Sequence, residues 1–290
     1  MRRKVIDVSE WQGNIDFAKV KANGVTGVII RAGYGKYDYQ RDKMFDANYA
    51  KAKAAELDCV VYWYSYSDST ASAIEEARVC MSIIKGKKFE YPIYFDLEEP
   101  SQFSRGRAFC DSVVKAFCGE LEKHGYFAGL YISRSPLQTY ISSDVANRYA
   151  LWVAEYASKL NYSGTVGMWQ YSSTGKVNGI SGSVDLDECY VDYPKIIKEG
   201  GFNGYTKATE LKILDTTGLK YNDKSIAVLA LKQLMYIAKA KGWIKSNFKN
   251  DYGFGDGTQA AVNELLARFG YKQNGIAGDN FVKFLGEKLK

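Results

Sequence analysis

The segment YPIYFDLEEP, residues 91–100, carries two acids, Asp96 and Glu98, at the end of an apolar and aromatic run. The run predicts a β-strand, and side chains two positions apart on a strand point to the same face. Two carboxyl groups buried side by side resist ionisation, because desolvation and repulsion both disfavour the charged forms, so one of them is suited to donate a proton. Glycoside hydrolysis needs such a pair. The alternative is that Asp96 and Glu98 are solvated charges in a strand-to-loop turn.

Residues 1–200 alternate strand-like runs with segments of helix length, an order that predicts parallel strands joined by helices. The later connections, 157–165 and 172–183, are too short for regular helices. We therefore predict an α/β fold, an irregular (β/α) barrel similar to a TIM barrel, with an antiparallel or loop-joined closing portion. Strands are predicted at residues 5–9, 27–33, 59–66, 91–98, 126–133, 149–156, 166–171 and 184–190, and helices at 16–23, 44–57, 71–84 and 106–124.

In such barrels the chemistry lies at the C-terminal ends of the strands. Asp7 lies near the end of the first predicted strand, Asp185 lies on the last, and Asp96 and Glu98 lie on the fourth. The first and last strands of a closed barrel are neighbours. Four carboxylates are therefore predicted to converge at one mouth.

The composition bounds the class of protein. With 290 residues, 46% of them hydrophobic, the chain can bury a full core and is expected to hold more than one domain. Without an apolar run of about 18 residues, no membrane insertion is predicted. The basic first residues lack the apolar stretch of a secretory signal, so we expect synthesis in a cytoplasm without a signal peptide.

Metal and cofactor chemistry is not indicated by the histidine and cysteine content. The single histidine, His124, cannot supply the two or three imidazoles of a zinc hydrolase, and its place before Gly125 is typical of a helix end. The five cysteines are odd in number and form no C-x-x-C pair, as expected of buried, reduced side chains. We predict neither a metal site nor a cofactor.

Charge divides the chain near residue 200. Residues 1–200 carry 25 basic and 25 acidic side chains, whereas residues 201–290 carry 14 and 8. The Lys excess is modest and unclustered, so nucleic acid is not a predicted partner. A glycine-rich stretch separates the two parts. The predicted domains are a catalytic barrel at 1–199, a linker at 200–208 and a small three-helix domain at 209–290, with helices at 223–241, 258–269 and 280–288.

Four motifs in the first part resemble the ordered motifs of glycoside hydrolase family 25, the Chalaropsis-type lysozymes of bacteria, fungi and phages. They are IDVSEWQG at 6–13, YFDLE at 94–98, WQY at 169–171 and VDLD at 184–187, and the similarity spans residues 4–198. The resemblance implies that Glu98 is the general acid/base and that Asp96, Asp7 and Asp185 are the other catalytic acids. Asp187 is a departure, because the family usually has Asn there.

The resemblance also implies hydrolysis, with retention, of the β-1,4 bond between N-acetylmuramic acid and N-acetylglucosamine. Glu98 must then be protonated at rest, and an ionised Asp96 beside it would raise its pKa. Two nucleophiles remain open: a carboxylate of the enzyme, or the 2-acetamido group of the substrate. We favour the acetamido group, because both sugars carry it within reach.

Aromatic side chains are expected along the substrate groove, because sugar rings present apolar faces together with hydroxyl groups. Tyr94 shares the strand face of Asp96 and Glu98, which makes it the favoured substrate contact. Trp11 and Gln12 are interpreted as holding the loop after the first strand. Further candidates for substrate binding are Tyr62, Tyr64, Tyr34, Tyr131, Trp152 and Gln170.

The segment YGFGDGTQAAV at 252–262, followed by NGIAG at 274–278, resembles the type 1 peptidoglycan-binding domain. Asn274 replaces the more usual Asp. The resemblance implies that this domain binds bacterial peptidoglycan, with anionic wall polymers as a further partner of its positive charge. The whole chain is interpreted as a wall-lytic muramidase, a phage endolysin that acts after release from the cytoplasm. The alternative is a catalytically inactive wall or carbohydrate binder, against which the four intact acids argue.

Overall fold

The computed structural model describes residues 2–206 and 213–289. The chain divides into two compact units, Met1–Ala208 and Thr209–Lys290. The first unit is a closed barrel surrounded by helices, and the described part of the second contains three helices. The predicted fold, an α/β barrel followed by a small helical domain, is confirmed.

The barrel is closed by eight strands in chain order, with β8 paired back to β1. Strands β1 to β7 pair in parallel, whereas β8 is antiparallel to both of its neighbours. No helix lies between β7 and β8, so the irregular closing portion is confirmed as well. The strands are β1 Arg3–Val8, β2 Gly27–Tyr34, β3 Asp58–Tyr64, β4 Ile93–Asp96, β5 Ala128–Ser133, β6 Ala150–Ala154, β7 Met168–Gly175 and β8 Val184–Cys189.

Some of the helices begin at side-chain caps that the sequence supplies. Asp16 accepts from the Lys19 amide at the start of α1, and Ser69 accepts from the Ser72 amide at the start of α3. The four predicted barrel helices correspond to α1, α2, α3 and α5. The helices are α1 Phe17–Ala22, α2 Phe45–Ala54, α3 Thr70–Ile84, α4 Pro100–Phe103, α5 Arg107–Lys123, α6 Arg134–Tyr140, α7 Ser143–Arg148, α8 Tyr193–Gly200, α9 Ile226–Ala240, α10 Asp256–Arg268 and α11 Asp279–Leu289, and short 3-10 helices lie at Glu10–Gln12 and Asp38–Gln40.

Alternation along each strand separates two apolar layers. Outward side chains such as Phe95 pack against the helices, where its ring lies 4.7 Å from that of Phe117. Inward side chains form a second cluster that includes Tyr94 and Trp152. This inner cluster fills the barrel below the mouth, so the mouth has a solid floor.

The amino ends of the strands are sealed by the chain that follows β8. Tyr193 of α8 packs against Tyr91, with ring centroids 5.9 Å apart. The side chain of Asn203 is fully buried, donates from Nδ2 to the Tyr91 carbonyl at 2.7 Å and accepts from the Phe127 amide at 2.8 Å. Phe202 packs its ring on Phe127.

The predicted linker at 200–208 is therefore corrected. Residues 200–205 belong to the barrel, because Asn203 bonds to two of its segments and Tyr205 bonds to Glu90. Residues 207 and 208 lie outside the described residues. A chain ended at residue 199 lacks these contacts.

The three helices of the second unit surround one apolar core, at the places predicted for them. The buried stripe of α9 includes Val228 and Leu231, whereas Ile226 and Ile237 are exposed. Apolar residues cover much of this helix, so spacing alone does not show which stripe faces its neighbours. Core residues include Val228, Leu231, Met235, Phe254, Val262, Leu265, Phe281 and Leu285.

None of the helices within the described residues has the length and apolar character needed to cross a membrane.

Candidate active site

The four predicted catalytic acids lie at one edge of the barrel. Asp7 in β1 is directly opposite Asp185 in β8, and partners of this kind share a face, with Cβ atoms about 5 Å apart. Asp96 ends β4, and Glu98 follows two residues later. Asp185 lies at the beginning of its strand, not near its end, because the antiparallel β8 starts at the edge where the other strands finish.

Burial of the acids is uneven. Asp96 is 2% exposed and Asp7 is 8% exposed, and the Oδ1 atom of each lacks a hydrogen-bond partner. Glu98 and Asp185 are half-buried and open to the mouth. Buried carboxyl oxygens without partners are uncommon in folded proteins and call for a functional explanation. Here both unpartnered oxygens belong to acids at the same edge of the barrel.

The acids raise one another's pKa values. Burial raises the pKa of Asp7 well above its usual range, and the nearby charges of Asp185, Asp187, Asp96 and Glu98 raise it further. Mutual electrostatic influence of this kind requires proximity. The predicted convergence of four carboxyl groups is therefore present in the structure.

Asp96 and Glu98 titrate together. Burial and then Glu98 raise the pKa of Asp96 well above its usual range, while Arg31 acts in the opposite direction. Burial and then Asp185 raise the pKa of Glu98, and the nearby Tyr131 hydroxyl lowers it. The ionisation of each carboxyl group therefore depends on that of the other. Arg31 favours the ionised form of Asp96 and so opposes part of the rise in its pKa.

Arg31 is a charged residue near the acids that the sequence analysis did not single out. It lies in β2, and its guanidinium donates from Nε to Asp42 Oδ2 at 2.8 Å and from a terminal nitrogen to Glu10 Oε1 at 2.9 Å. The Asp42 side chain is completely buried. These two carboxylates fix the guanidinium at the side of the barrel that carries Asp96. A charged residue within the apolar run GVIIRAGY was the available signal.

Gln170 connects three residues of the mouth. Its Oε1 accepts from the hydroxyls of Tyr131 at 2.9 Å and Tyr156 at 3.1 Å, and its Nε2 donates to Asp7 Oδ2 at 3.4 Å. Because Gln170 is buried, its place fits a positioning role better than the predicted substrate contact. Tyr156 was not predicted, although it shares the strand face of Trp152.

A model of the glycosyl hydrolases family 25 matches residues 6–180, which are more than half of the chain. The chain is a member of glycosyl hydrolase family 25. Asp7, Asp96, Glu98 and Gln170 lie within the matched residues, and Asp185 lies just beyond them.

Similar proteins include an autolytic lysozyme, a modular autolysin and an endolysin. An autolytic lysozyme from Clostridium acetobutylicum is 33% identical over 186 residues, 64% of this chain and 55% of the relative. The modular autolysin LytC from Streptococcus pneumoniae, solved in complex with a synthetic peptidoglycan ligand, is 29% identical with a TM-score of 0.59, over 65% of this chain and 47% of its own. The CTP1L endolysin shares the fold at 24% identity and a TM-score of 0.60, over 83% of this chain and 80% of its own. The chain spans about half the length of the first two proteins.

Tyr94 lies deeper in this family 25 barrel than its strand face suggested. It is fully buried, and its ring packs 5.3 Å from that of Trp152. Gly129 is required beside it, because a Cβ there would lie 2.5 Å from the Tyr94 ring. Tyr94 and Trp152 therefore support the floor of the mouth, and neither exposes a surface for the predicted sugar contact.

The other predicted tyrosines lie nearer the mouth. Tyr62, Tyr64 and Tyr34 are half-buried, and the Tyr64 hydroxyl donates to Glu99 Oε1 at 2.6 Å. Tyr131 is buried, and its ring lies 4.2 Å from that of Trp152.

Exposed aromatic rings lie around the tyrosines near the mouth. Gln12 holds the loop after β1 as predicted, since its Oε1 accepts from the Ser9 amide at 2.9 Å. Trp11 does not hold it, because its side chain is 80% exposed. Other exposed rings follow β2, β3 and β6, and they belong to Tyr37, Tyr39, Tyr66 and Tyr156.

Asp187, which departs from the usual family pattern, is fully buried below Asp185. Its Oδ1 accepts from Trp152 Nε1 at 2.9 Å, and its Oδ2 has no partner. Burial raises the pKa of Asp187 well above its usual range, the Trp152 hydrogen bond opposes this, and Asp185 adds to it. A protonated Asp187 positions Trp152 much as an amide would.

Proposed function

We propose that the protein is a cell-wall muramidase that hydrolyses the β-1,4 bond between N-acetylmuramic acid and N-acetylglucosamine in peptidoglycan. The observation that carries this proposal is the half-buried Glu98 coupled to the buried Asp96, facing Asp7 and Asp185 in one mouth. An autolytic lysozyme among the relatives and the peptidoglycan complex of LytC support the choice of substrate.

Glu98 is the proton donor in this proposal. It reaches solvent, and burial and the charge of Asp185 raise its pKa, which favours the protonated form that a proton donor needs. The proton passes to the glycosidic oxygen as the bond to the anomeric carbon breaks. Ionised Glu98 then takes a proton from the water that completes hydrolysis.

Asp96 fits the role of an acceptor better than that of a nucleophile. It is buried beneath the mouth and its Oδ1 has no partner, which supports a role in accepting a hydrogen bond from the N–H of a substrate acetamido group. The acetamido carbonyl oxygen then attacks the anomeric carbon, and Asp96 stabilises the positive charge that develops. Attack by the acetamido group and a second displacement by water give net retention of configuration.

The aromatic residues around the mouth support a carbohydrate ligand. Trp11, Tyr37, Tyr39, Tyr66 and Tyr156 expose their rings in loops at the carboxyl ends of strands. Sugar rings pack on such faces through their apolar C–H surfaces. A long groove for a glycan strand is the ligand geometry that suits this arrangement.

Product analysis tests the proposal. Purified peptidoglycan is digested, reduced with borohydride and examined by mass spectrometry, with Glu98→Gln as the inactive control. Reduced muramic acid ends are expected. Reduced glucosamine ends would instead identify a glucosaminidase, and intact glycan would support a binder without activity. Proton NMR of the first anomer released gives the stereochemistry, and the β anomer is expected.

We also propose that the second unit attaches the enzyme to the wall. A groove of about 620 Å³ beside the start of α10 is lined by Lys224, Lys249, Asp251 and Phe248. Replacing both lysines by Gln in the full chain should weaken sedimentation with purified walls, and Lys272→Gln, outside the groove, is the control. If neither the substitutions nor added salt changes the amount of enzyme that sediments with the walls, the unit recognises neutral sugar or peptide. A phage origin and synthesis in the host cytoplasm stay predictions.

A further inference from the structure

A cavity of about 170 Å³ lies at the edge of the barrel that carries the acids. It is formed by the chain after β2 and by the beginning of α3. Residues on its wall include Lys36, Tyr66, Asp68, Ser72 and Glu76. No step of the proposed hydrolysis uses it.

Glu76 is the unusual member of this wall. It is only 1% exposed, and its Oε1 accepts from the Tyr66 amide at 2.9 Å. Its Oε2 is buried and has no hydrogen-bond partner. The nearby Ser65 hydroxyl is engaged with Ser67 and Gln102. A buried acceptor on a cavity wall is a position that a ligand donor can fill.

The charges around the cavity favour a cation. Asp68 is held by Ser72, whose hydroxyl donates to its Oδ1 at 2.9 Å, and Lys36 is the basic side chain on the wall. Burial raises the pKa of Glu76 to about 7, the nearby Ser65 hydroxyl and the hydrogen bond from the Tyr66 amide lower it, Asp68 raises it and Lys36 lowers it. An entering ammonium group therefore meets two carboxyl groups, and it favours the ionised form of Glu76.

Tyr66 lies between this cavity and the catalytic acids. Its ring packs on Tyr64 at 5.1 Å, and the Tyr64 hydroxyl bonds to Glu99, which follows Glu98. The pKa of Tyr66 is raised by burial, and the charges of Glu99 and Asp96 add to this effect. A glycan strand in the mouth thus lies one aromatic side chain away from the cavity.

We propose that this cavity, the Glu76 pocket, binds a primary ammonium group on the peptide stem of the peptidoglycan substrate. The inference rests on the proposed function, because the stem is attached to the muramic sugar. Glu76 accepts a hydrogen bond from the ammonium group, Asp68 adds a second negative charge, and Tyr66 covers the aliphatic part of the amine-bearing side chain.

The test compares two soluble glycan oligomers that differ in one group, a stem with a free side-chain amine and the same stem with that amine acetylated. The parent enzyme should prefer the free amine by about tenfold or more in kcat/KM, the range of a hydrogen bond to a charged group. Glu76→Gln should bring the ratio close to one without changing cleavage of peptide-free glycan. Glu75→Gln is the matched control, because Glu75 lies directly before Glu76 in the same helix and is exposed.

A Glu76→Gln enzyme that keeps the preference would overturn the proposal, and so would a parent enzyme that shows none. If the variant does not fold, n-propylammonium added to the parent enzyme decides. It should slow cleavage of the amine-bearing oligomer and not of the acetylated one, compared with the same concentration of sodium chloride. Slowing of both oligomers to the same extent would reject the proposed pocket. Failure to cleave even peptide-free glycan would instead reject the proposed function.

Discussion

The two ends of the barrel interior differ in the kind of group that they bury. The amino end holds aromatic rings and one amide, with Tyr91 and Tyr193 packed together and Asn203 bonded to two backbone groups. The carboxyl end holds acids, of which Asp7 and Asp96 each keep one oxygen without a partner. Neutral groups with partners stabilise a fold, whereas buried acids with raised pKa values destabilise it near neutral pH.

This difference predicts that one end of the barrel serves catalysis and the other serves stability. Substitutions that neutralise acids at the mouth should abolish or retune catalysis and leave the melting temperature unchanged or higher. Substitutions at the amino end should lower the melting temperature and leave the chemistry of the folded molecules unchanged. The variants below test this separation from the largest expected effect to the smallest.

Glu98→Gln should produce the largest loss of activity. The amide keeps the shape of the side chain but has no proton to transfer, and general acid–base catalysis contributes about 10² to 10⁴ in rate. Turnover of peptidoglycan is measured together with the melting temperature, which should not fall. Glu99→Gln is the control at the neighbouring position, where the carboxylate accepts from Tyr64. Activity of Glu98→Gln within tenfold of the parent would remove Glu98 from its assigned role.

Asn203→Ala should produce the largest loss of stability. It leaves the Tyr91 carbonyl and the Phe127 amide without partners, and each buried group left unsatisfied costs about 1–3 kcal/mol. Denaturant unfolding measures the loss, and turnover per folded molecule should equal that of the parent. Asn147→Ala, an exposed position on α7, is the control. Parent-like stability would show that the segment 200–205 is the linker that its glycines first indicated.

Asp96→Asn should shift the pH dependence as well as lower turnover. Removing the negative charge beside Glu98 lowers the pKa of Glu98, so the proton is lost at lower pH. The alkaline limb of the kcat/KM profile, which reports this loss in the free enzyme, should therefore move to lower pH. An alkaline limb at the parent position would mean that Asp96 and Glu98 are not coupled.

Strand alternation predicted the face of each side chain but not its depth. Asp96 and Tyr94 point into the barrel as the two-residue period requires, yet Tyr94 lies one layer below and is sealed by Trp152. Depth depends on how many residues each neighbouring strand contributes below the mouth. That information comes from register across the barrel, such as Asp96 opposite Tyr131, and not from one strand.

The prediction from composition was also wrong at the junction between the two units. The stretch EGGFNG at 199–204 has the glycine content of a flexible linker. In the structure Asn203 and Gly204 have positive φ angles of 52° and 84° and turn the chain back to the barrel. Glycine-rich sequence is typical of flexible linkers and of tight turns alike. The contacts of Asn203 with Tyr91 and Phe127 decide between them, and they join residues far apart in the sequence.

Asp187→Asn should produce the smallest effect, a gain in stability that depends on pH. The pKa of Asp187 is raised in the folded state by burial, so the folded protein binds this proton more tightly than the unfolded chain does. Stability is therefore lost as pH rises above the unfolded value of about 4, and the loss continues up to the folded pKa. Asn at this position does not titrate, so this loss of stability does not occur. Its amide oxygen can still accept the hydrogen bond from Trp152 Nε1. The melting temperature of the variant should equal that of the parent near pH 3 and exceed it at pH 7. Glu188→Gln, on the outward face of β8, is the control and should show no such difference between the two pH values. A variant that melts below the parent at pH 7 would mean that the carboxyl group of Asp187 stabilises the fold.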